Sequence, residues 1–286
     1  MSELLQKNDS NLFKQLVPLN GNMQEIPTTY HVNLILQVNY FGSGGIAISI
    51  CFNHIIFDGT TLAYFVKSWA EVAGGANDIK NVVVDYSSIR PPYDAFASLG
   101  SLYEQNRGHY NPTEMVANAD GETHESTAKQ MVVVSPINLG DKVNPPLPPQ
   151  SIGNLVTIGI AKLPIDKGID YDDLAIEVHK SVRNVVDQYK RNMHVGGLVK
   201  GLENSMVFHI SDVSRLPFYE ADFGWGKPVL LSFIPGNYKA ACLTPTNDGA
   251  GVQAFITLSK EEMAKFEQDP EFLSYTQPFL SKRARL

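Results

Sequence analysis

His54, Asp58 and Gly59 carry the clearest chemical potential in this chain, within His54-Ile55-Ile56-Phe57-Asp58-Gly59. An imidazole titrates near neutrality and can take a proton from a hydroxyl. The apolar run Ile46 to Phe52 precedes the stretch and reads as a buried strand. Leu62, Phe65, Val66, Trp69 and Val72 follow it at helical spacing, which predicts a helix over 60–75. The histidine therefore stands where a strand ends and a helix begins, in a loop closed by Asp-Gly. Rigid flanking elements suit a reactive side chain on a loop facing solvent. On its own, the stretch is weak evidence, and a capped loop bearing a hydrogen-bonded histidine is the better reading of it.

Other chemistries find less support. No Gly-x-Ser-x-Gly elbow occurs, which argues against a Ser-His-Asp hydrolase. His54 and Asp58 alone are too few ligands for a metal, so none is expected. Gly42-Ser43-Gly44-Gly45-Ile46-Ala47 fits a dinucleotide fingerprint by pattern. It lies between two strands with no helix directly after it, so its glycines read as turn residues. His109, His124, His179 and His194 read as solvated. Cys51 and Cys242 both lie in apolar runs and read as buried free thiols in a reducing compartment.

The 286 residues are 43% hydrophobic and 19% charged, with a net charge of −7 and mixed signs. That composition is ordinary for a globular protein and argues against nucleic acid or a polybasic membrane surface as partner. No stretch has the length of a membrane-spanning helix, and residues 1–20 lack a signal-peptide pattern. The sequon Asn8-Asp9-Ser10 carries no weight without such a signal, and Ala284-Arg285-Leu286 only loosely resembles a peroxisomal address. Cytoplasmic localisation is the expectation.

The positioning elements follow in order. Residues 1–27 read as a short helix and an irregular approach. Val32, Leu34, Leu36, Val38 and Tyr40 alternate as a half-buried strand, pairing through the glycine turn with Ile46 to Phe52. Residues 106–130 form a polar linker between a domain at 1–105 and another at 131–286. In the second domain, strands are expected at Met131 to Val134 and up to Ile160, and a helix from Asp172 to Met193. Three later strands are expected at Val229 to Ile234, Tyr238 to Leu243 and Val252 to Leu258. Ser259 and Glu262 make a capping box for a last helix. Strands alternating with helices over both halves indicate an α/β or α+β protein with two related lobes.

A second stretch, Asp222-Phe223-Gly224-Trp225-Gly226-Lys227-Pro228, changes the weighing of the first. The two in this order resemble the BAHD acyltransferases, plant enzymes that move an acyl group from coenzyme A to an alcohol or amine. Asn138-Leu139, Pro145-Pro146-Leu147-Pro148 and Gly153-Asn154 resemble the family's middle block, and Gly251 to Met263 its C-terminal block. Within the family the chain is most similar to the branch that acetylates alkaloid hydroxyls. The resemblance implies an α/β, chloramphenicol-acetyltransferase-like two-lobed fold with mixed sheets and an incomplete first lobe. Residues 1–105 would be the remainder of the catalytic lobe, and 131–286 the C-terminal lobe.

It further implies His54 as general base and acetyl-CoA, or another acyl-CoA, as co-substrate rather than a bound cofactor. The acceptor would be a small-molecule hydroxyl. Asp58 would orient the loop, and Gly59 would permit close packing beneath it. Asp222, Phe223, Gly224, Trp225 and Gly226 would be structural. The chain departs from the family in length: the strand-rich segment that precedes the match is absent, and its first residues resemble that segment's end. Gly140 stands where the family places an arginine that pairs with Asp222. A carboxylate left buried and unpaired would cost about 3–5 kcal/mol, unless Lys142 or Arg215 substitutes. The alternative is a shortened, non-catalytic member that binds a ligand or partner without turnover. A monomer is expected, with self-association through an exposed sheet edge as the alternative.

Overall fold

The computed structural model describes residues 10–18, 32–54, 56–77, 129–144, 146–165, 168, 170–190, 205–233 and 239–276. Residues 106–128 of the expected linker, His109, His124, His194, Asn8, Asp9 and the last ten residues lie outside them.

A short helix, α1 (Ser10–Gln15), precedes the hairpin β1 (Leu34–Tyr40) and β2 (Ile46–Phe52). The strands are antiparallel, with Leu34 opposite Phe52 and Tyr40 opposite Ile46. Gly44 turns the chain at φ +84°, a conformation glycine adopts freely, and Phe41 N–H donates to Gly45 O at 2.9 Å. The glycine-rich stretch is thus a hairpin turn. The apolar stripe of β1 is its exposed one, with Tyr40 79% accessible, and Leu36 and Val38 are exposed beside it. The polar side chains between them face α1: Asn39 Nδ2 donates to Leu16 O at 2.7 Å and Gln37 Nε2 to Gln15 O at 3.2 Å.

Helix α2 (Gly59–Ala73) follows, buried through Thr61, Leu62, Ala63 and Ala70. Leu62 and Ala63 pack with Phe218 in a cluster joined by Ile50, Phe52, Leu216, Leu231 and Phe233. Full burial of a leucine contributes about 1.5–3 kcal/mol, so this cluster is a principal attachment of α2 to the second half of the chain.

The second half is a five-stranded mixed sheet in the order β4-β3-β5-β6-β7. Its strands are β3 (Gln130–Asn138), β4 (Val156–Pro164), β5 (Ser205–Asp212), β6 (Ala240–Pro245) and β7 (Val252–Thr257). β3 runs parallel to β5, and β5 to β6, while β4 and β7 close the edges antiparallel. Helix α3 (Tyr171–Lys190) lies between β4 and β5 in the chain. Its Val185 and Val186 pack with Ile137 and Leu139, and its Val178 and Leu174 join Val133, Ala161 and Leu163. Valine is a modest helix former, so this packing holds the helix. Two short helices, α4 (Lys260–Phe266) and α5 (Pro270–Tyr275), end the described chain. The capping box at α4 is present, with Glu262 N–H on Ser259 Oγ and Ser259 N–H on Glu262 Oε2.

One strand expectation is corrected, and one strand was not expected. Residues 229–233 form no strand; Leu231 N–H instead donates to the Tyr219 hydroxyl at 3.0 Å, and Leu231 and Phe233 fill the cluster beneath α2. β5 is a strand that the sequence reading had not marked. Helix α3 is described to Lys190, so Met193 lies outside the described residues.

Candidate active site

The site is built from one tight turn held at both ends. Asn53 O accepts from Ile56 N–H at 3.0 Å and from Phe57 N–H at 3.1 Å, which closes the turn around His54. Asn53 N–H reaches back to Asn33 O at 2.8 Å, tying the turn to the hairpin. His54 is exposed, its ring tilted against Phe52 with centroids 5.2 Å apart. Among the described residues its ring nitrogens have no hydrogen-bond partner.

Asp58 is buried and caps α2: Thr61 N–H donates to its Oδ1 at 2.8 Å. The other carboxylate oxygen accepts Leu155 N–H at 3.4 Å, and the Asp58 amide donates to Gly153 O at 3.0 Å. Asp58 thus ties the loop to a turn nearly a hundred residues away. Thr61 joins the same turn, donating from Oγ1 to Gly153 O at 2.8 Å and accepting Gly153 N–H at 3.1 Å. The Asn154 side-chain amide donates to the main-chain carbonyl of His54. Asn138 Nδ2 donates to Thr60 Oγ1 at 2.6 Å, while its Oδ1 accepts Gly140 N–H at 2.7 Å. A Cβ at Gly140 would lie 3.0 Å from that Oδ1, so a side chain there would displace Asn138.

Gly59 is less constrained than expected. A Cβ at this position would meet Leu216 and Val213 side-chain carbons at 3.6 Å, ordinary contact distance. The site residues with no assigned role in the sequence reading are Thr61, Asn138, Gly153 and Asn154. Their partners lie 78–100 positions away, so no local pattern announces them.

Asp222 to Gly226 lies at the other end of α2. Asp222 O stands 3.7 Å from the position a Cβ on Gly74 would take, and Gly224 approaches Gly74 Cα. A helix of 15 residues spans about 22 Å, which separates this loop from His54. Asp222 Oδ1 accepts N–H groups from both Gly224 and Gly226 at 2.9 Å, with those glycines at φ +97° and +112°. Asp222 is exposed rather than buried, so the desolvation cost anticipated for an unpaired carboxylate does not arise. Neither expected substitute pairs with it among the described residues; Lys142 pairs with Asp141. Phe223 meets Trp69 edge-on at 4.8 Å and stacks on Trp225 at 5.5 Å, and Trp225 stays largely exposed.

The remaining candidates stand apart. Cys51 and Cys242 are free and half-buried. Burial pushes the Cys51 thiol up; burial and then the Asp212 carboxylate push Cys242 up to about 11. Both thiols are weak nucleophiles at neutral pH. His179 is exposed on α3. Among the described residues no cluster of three or more metal-ligating side chains occurs, and no helix is long and apolar enough to cross a membrane. An open groove of about 370 Å³, lined by Met131, Met206, Phe208, Leu258 and Phe266, lies at the start of β3 and β5. His54 is at the other end of β3, beyond Asn138, so the groove is a separate feature.

The two sheets and the loop between them define an α/β protein of the chloramphenicol-acetyltransferase type. A family model described as Transferase family matches residues 1–133 and 113–273. Epi-neemfruitin B synthase of Melia azedarach is 36% identical over 96% of this chain and 75% of that protein. Limonoid 1-O-acetyltransferase of Citrus sinensis is 34% identical, with the same coverages of 96% and 75%. Vinorine synthase of Rauvolfia serpentina is 27% identical over 84% of this chain and 65% of that protein. The crystal structure of vinorine synthase matches with a TM-score of 0.70 at 23% identity, over 99% of this chain and 76% of that one. F. sporotrichioides TRI101, crystallised with coenzyme A and T-2, matches with a TM-score of 0.56 at 15% identity, over 86% and 70%.

The chain belongs to this Transferase family, the BAHD acyltransferases. It is an acyltransferase by membership, and its relatives include plant O-acetyltransferases. Identity to limonoid 1-O-acetyltransferase, 34%, exceeds the 27% to vinorine synthase.

Proposed function

We propose that this chain transfers an acetyl group from acetyl-CoA to a hydroxyl of a limonoid-type plant metabolite, with His54 as general base. The observation that carries this reading is the exposed imidazole of His54, unpartnered among the described residues, on a loop tied to the turn before β4. The acceptor hydroxyl gives its proton to the imidazole as its oxygen attacks the thioester carbonyl. The C–S bond then breaks, and the departing thiolate recovers the proton from the imidazolium, leaving the ester and free coenzyme A. This sequence calls for neither a covalent enzyme intermediate nor a metal. Asp58 keeps the loop in place and does not touch substrate.

The acceptor class is supported by 34% identity to limonoid 1-O-acetyltransferase against 27% to vinorine synthase. Residues 1–105 and 131–286 are read as the two lobes, with acceptor and acyl-CoA meeting at His54. The enzyme is read as cytoplasmic, in keeping with two free thiols.

The test is transfer of labelled acetyl from acetyl-CoA to a panel of limonoid and alkaloid alcohols, with His54→Ala as control. Loss of general base catalysis should lower kcat by about 10²–10⁴-fold while the thermal midpoint stays in place. Turnover by His54→Ala at the parent rate would remove the base assignment. Parent protein that neither transfers acetyl nor gains thermal stability from acetyl-CoA would favour the non-catalytic family member instead.

A further inference from the structure

We infer that Asn154 is a positioning residue for His54, holding the imidazole's backbone from the second sheet. This rests on the reading of His54 as general base. Among the described residues, Asn154 is the side chain that hydrogen-bonds to the His54 main chain, donating from Nδ2 to its carbonyl. Among the described residues the imidazole has no hydrogen-bond partner of its own and its one ring contact is with Phe52. Its direction is therefore set by the backbone beneath it. Fixing the carbonyl fixes the peptide plane after His54 and with it the ψ angle that aims the Cα–Cβ bond.

Asn154 is itself firmly seated. Gly153 before it exchanges hydrogen bonds with Thr61 and accepts from Asp58 N–H, and Leu155 after it donates to the Asp58 carboxylate. Leu155 O in turn accepts Leu139 N–H at 2.9 Å at the end of β3. The contact thus runs from β3 through a three-residue turn to the base. The chemistry at position 154 is specific: an amide donates to a carbonyl, while an ionised carboxylate of the same shape is acceptor-only and repels it. Asn154 is exposed, so substitution there opens no core cavity.

The experiment compares Asn154→Asp and Asn154→Ala with the parent enzyme in steady-state acetyl transfer. Thermal unfolding and the His54 imidazole resonance, assigned by its disappearance in His54→Ala, are followed alongside. Misplacement of the base should lower kcat about 10- to 100-fold with the thermal midpoint unmoved, and the KM for acetyl-CoA should stay within about twofold. Asn154→Asp should shift the His54 resonance most, since it replaces attraction by repulsion. Parent-like kcat in both variants, or a kcat loss that follows a fall in thermal midpoint, would overturn the inference. If His54→Ala proves fully active, the base reading falls; an unmoved resonance in Asn154→Asp separately removes the positioning contact.

Discussion

The amide of Asp58 donates to the carbonyl of Gly153 across 3.0 Å, and the Asp58 carboxylate accepts the amide of Leu155 at 3.4 Å. One buried residue thereby caps α2 and joins it to a turn from the other sheet. Asp58→Ala removes the cap, worth about 1 kcal/mol, and leaves the part-buried Leu155 N–H without its acceptor, worth about 1–3 kcal/mol. Urea unfolding should show a loss of about 2–4 kcal/mol, with acetyl transfer falling alongside. Asp58→Asn keeps an effective capping oxygen, and its loss should stay within about 1 kcal/mol. Equal losses for the two variants would show that charge, not the capping oxygen, holds the loop.

The loop at the far end of α2 makes a different demand. Gly226 sits at φ +112° with open space where a Cβ would go, so Gly226→Ala meets no clash and isolates the backbone strain. Thermal and denaturant unfolding should show a cost of about 1–2 kcal/mol. Asp222→Asn, which keeps the accepting oxygen, should cost less than Asp222→Ala, which frees the Gly224 and Gly226 amides. If Asp222→Ala is neutral, the two 2.9 Å contacts are not what shapes the loop.

His209 provides a pH test. Burial on β5 holds its imidazole below the ordinary histidine value, so the unfolded chain binds a proton that the folded one refuses. Stability from this group is complete above the unfolded pKa, near 6.5, and declines as pH falls toward the depressed folded value. The unfolding midpoint in urea should therefore drop between neutral pH and pH of about 5, and His209→Leu should flatten that slope. An unchanged slope in the variant would place the acid sensitivity elsewhere.

The hairpin and α2 were legible because their signals are local. Ile46 to Phe52 is a continuous apolar run bounded by a glycine turn, and the strand occupies those residues. The capping box at Ser259 and Glu262 is likewise complete within four residues. β3 runs on past the expected Met131 to Val134 and includes Pro136, which cannot donate to a ladder. It is tolerated because β5 pairs β3 only through Val134, and the strand continues against β4 alone. Residues 229–233 misled for the opposite reason: an apolar run states that it will be buried, not that a neighbouring strand awaits it. Leu231 and Phe233, half-buried, pack against the cluster under a helix instead. β5 contains a histidine and ends in Ser211-Asp212, which broke its apolar pattern. The anchoring of His54 had no local signature at all, since it joins positions about a hundred residues apart.

That separation has a consequence in time. At about 5–20 residues per second, position 154 leaves the ribosome roughly 5–20 s after position 54. Throughout that interval the His54 loop lacks the partners that shape it, although its hairpin and helix can already form from local contacts. Maturation of the site is therefore a late event, timed by synthesis of the second half of the chain.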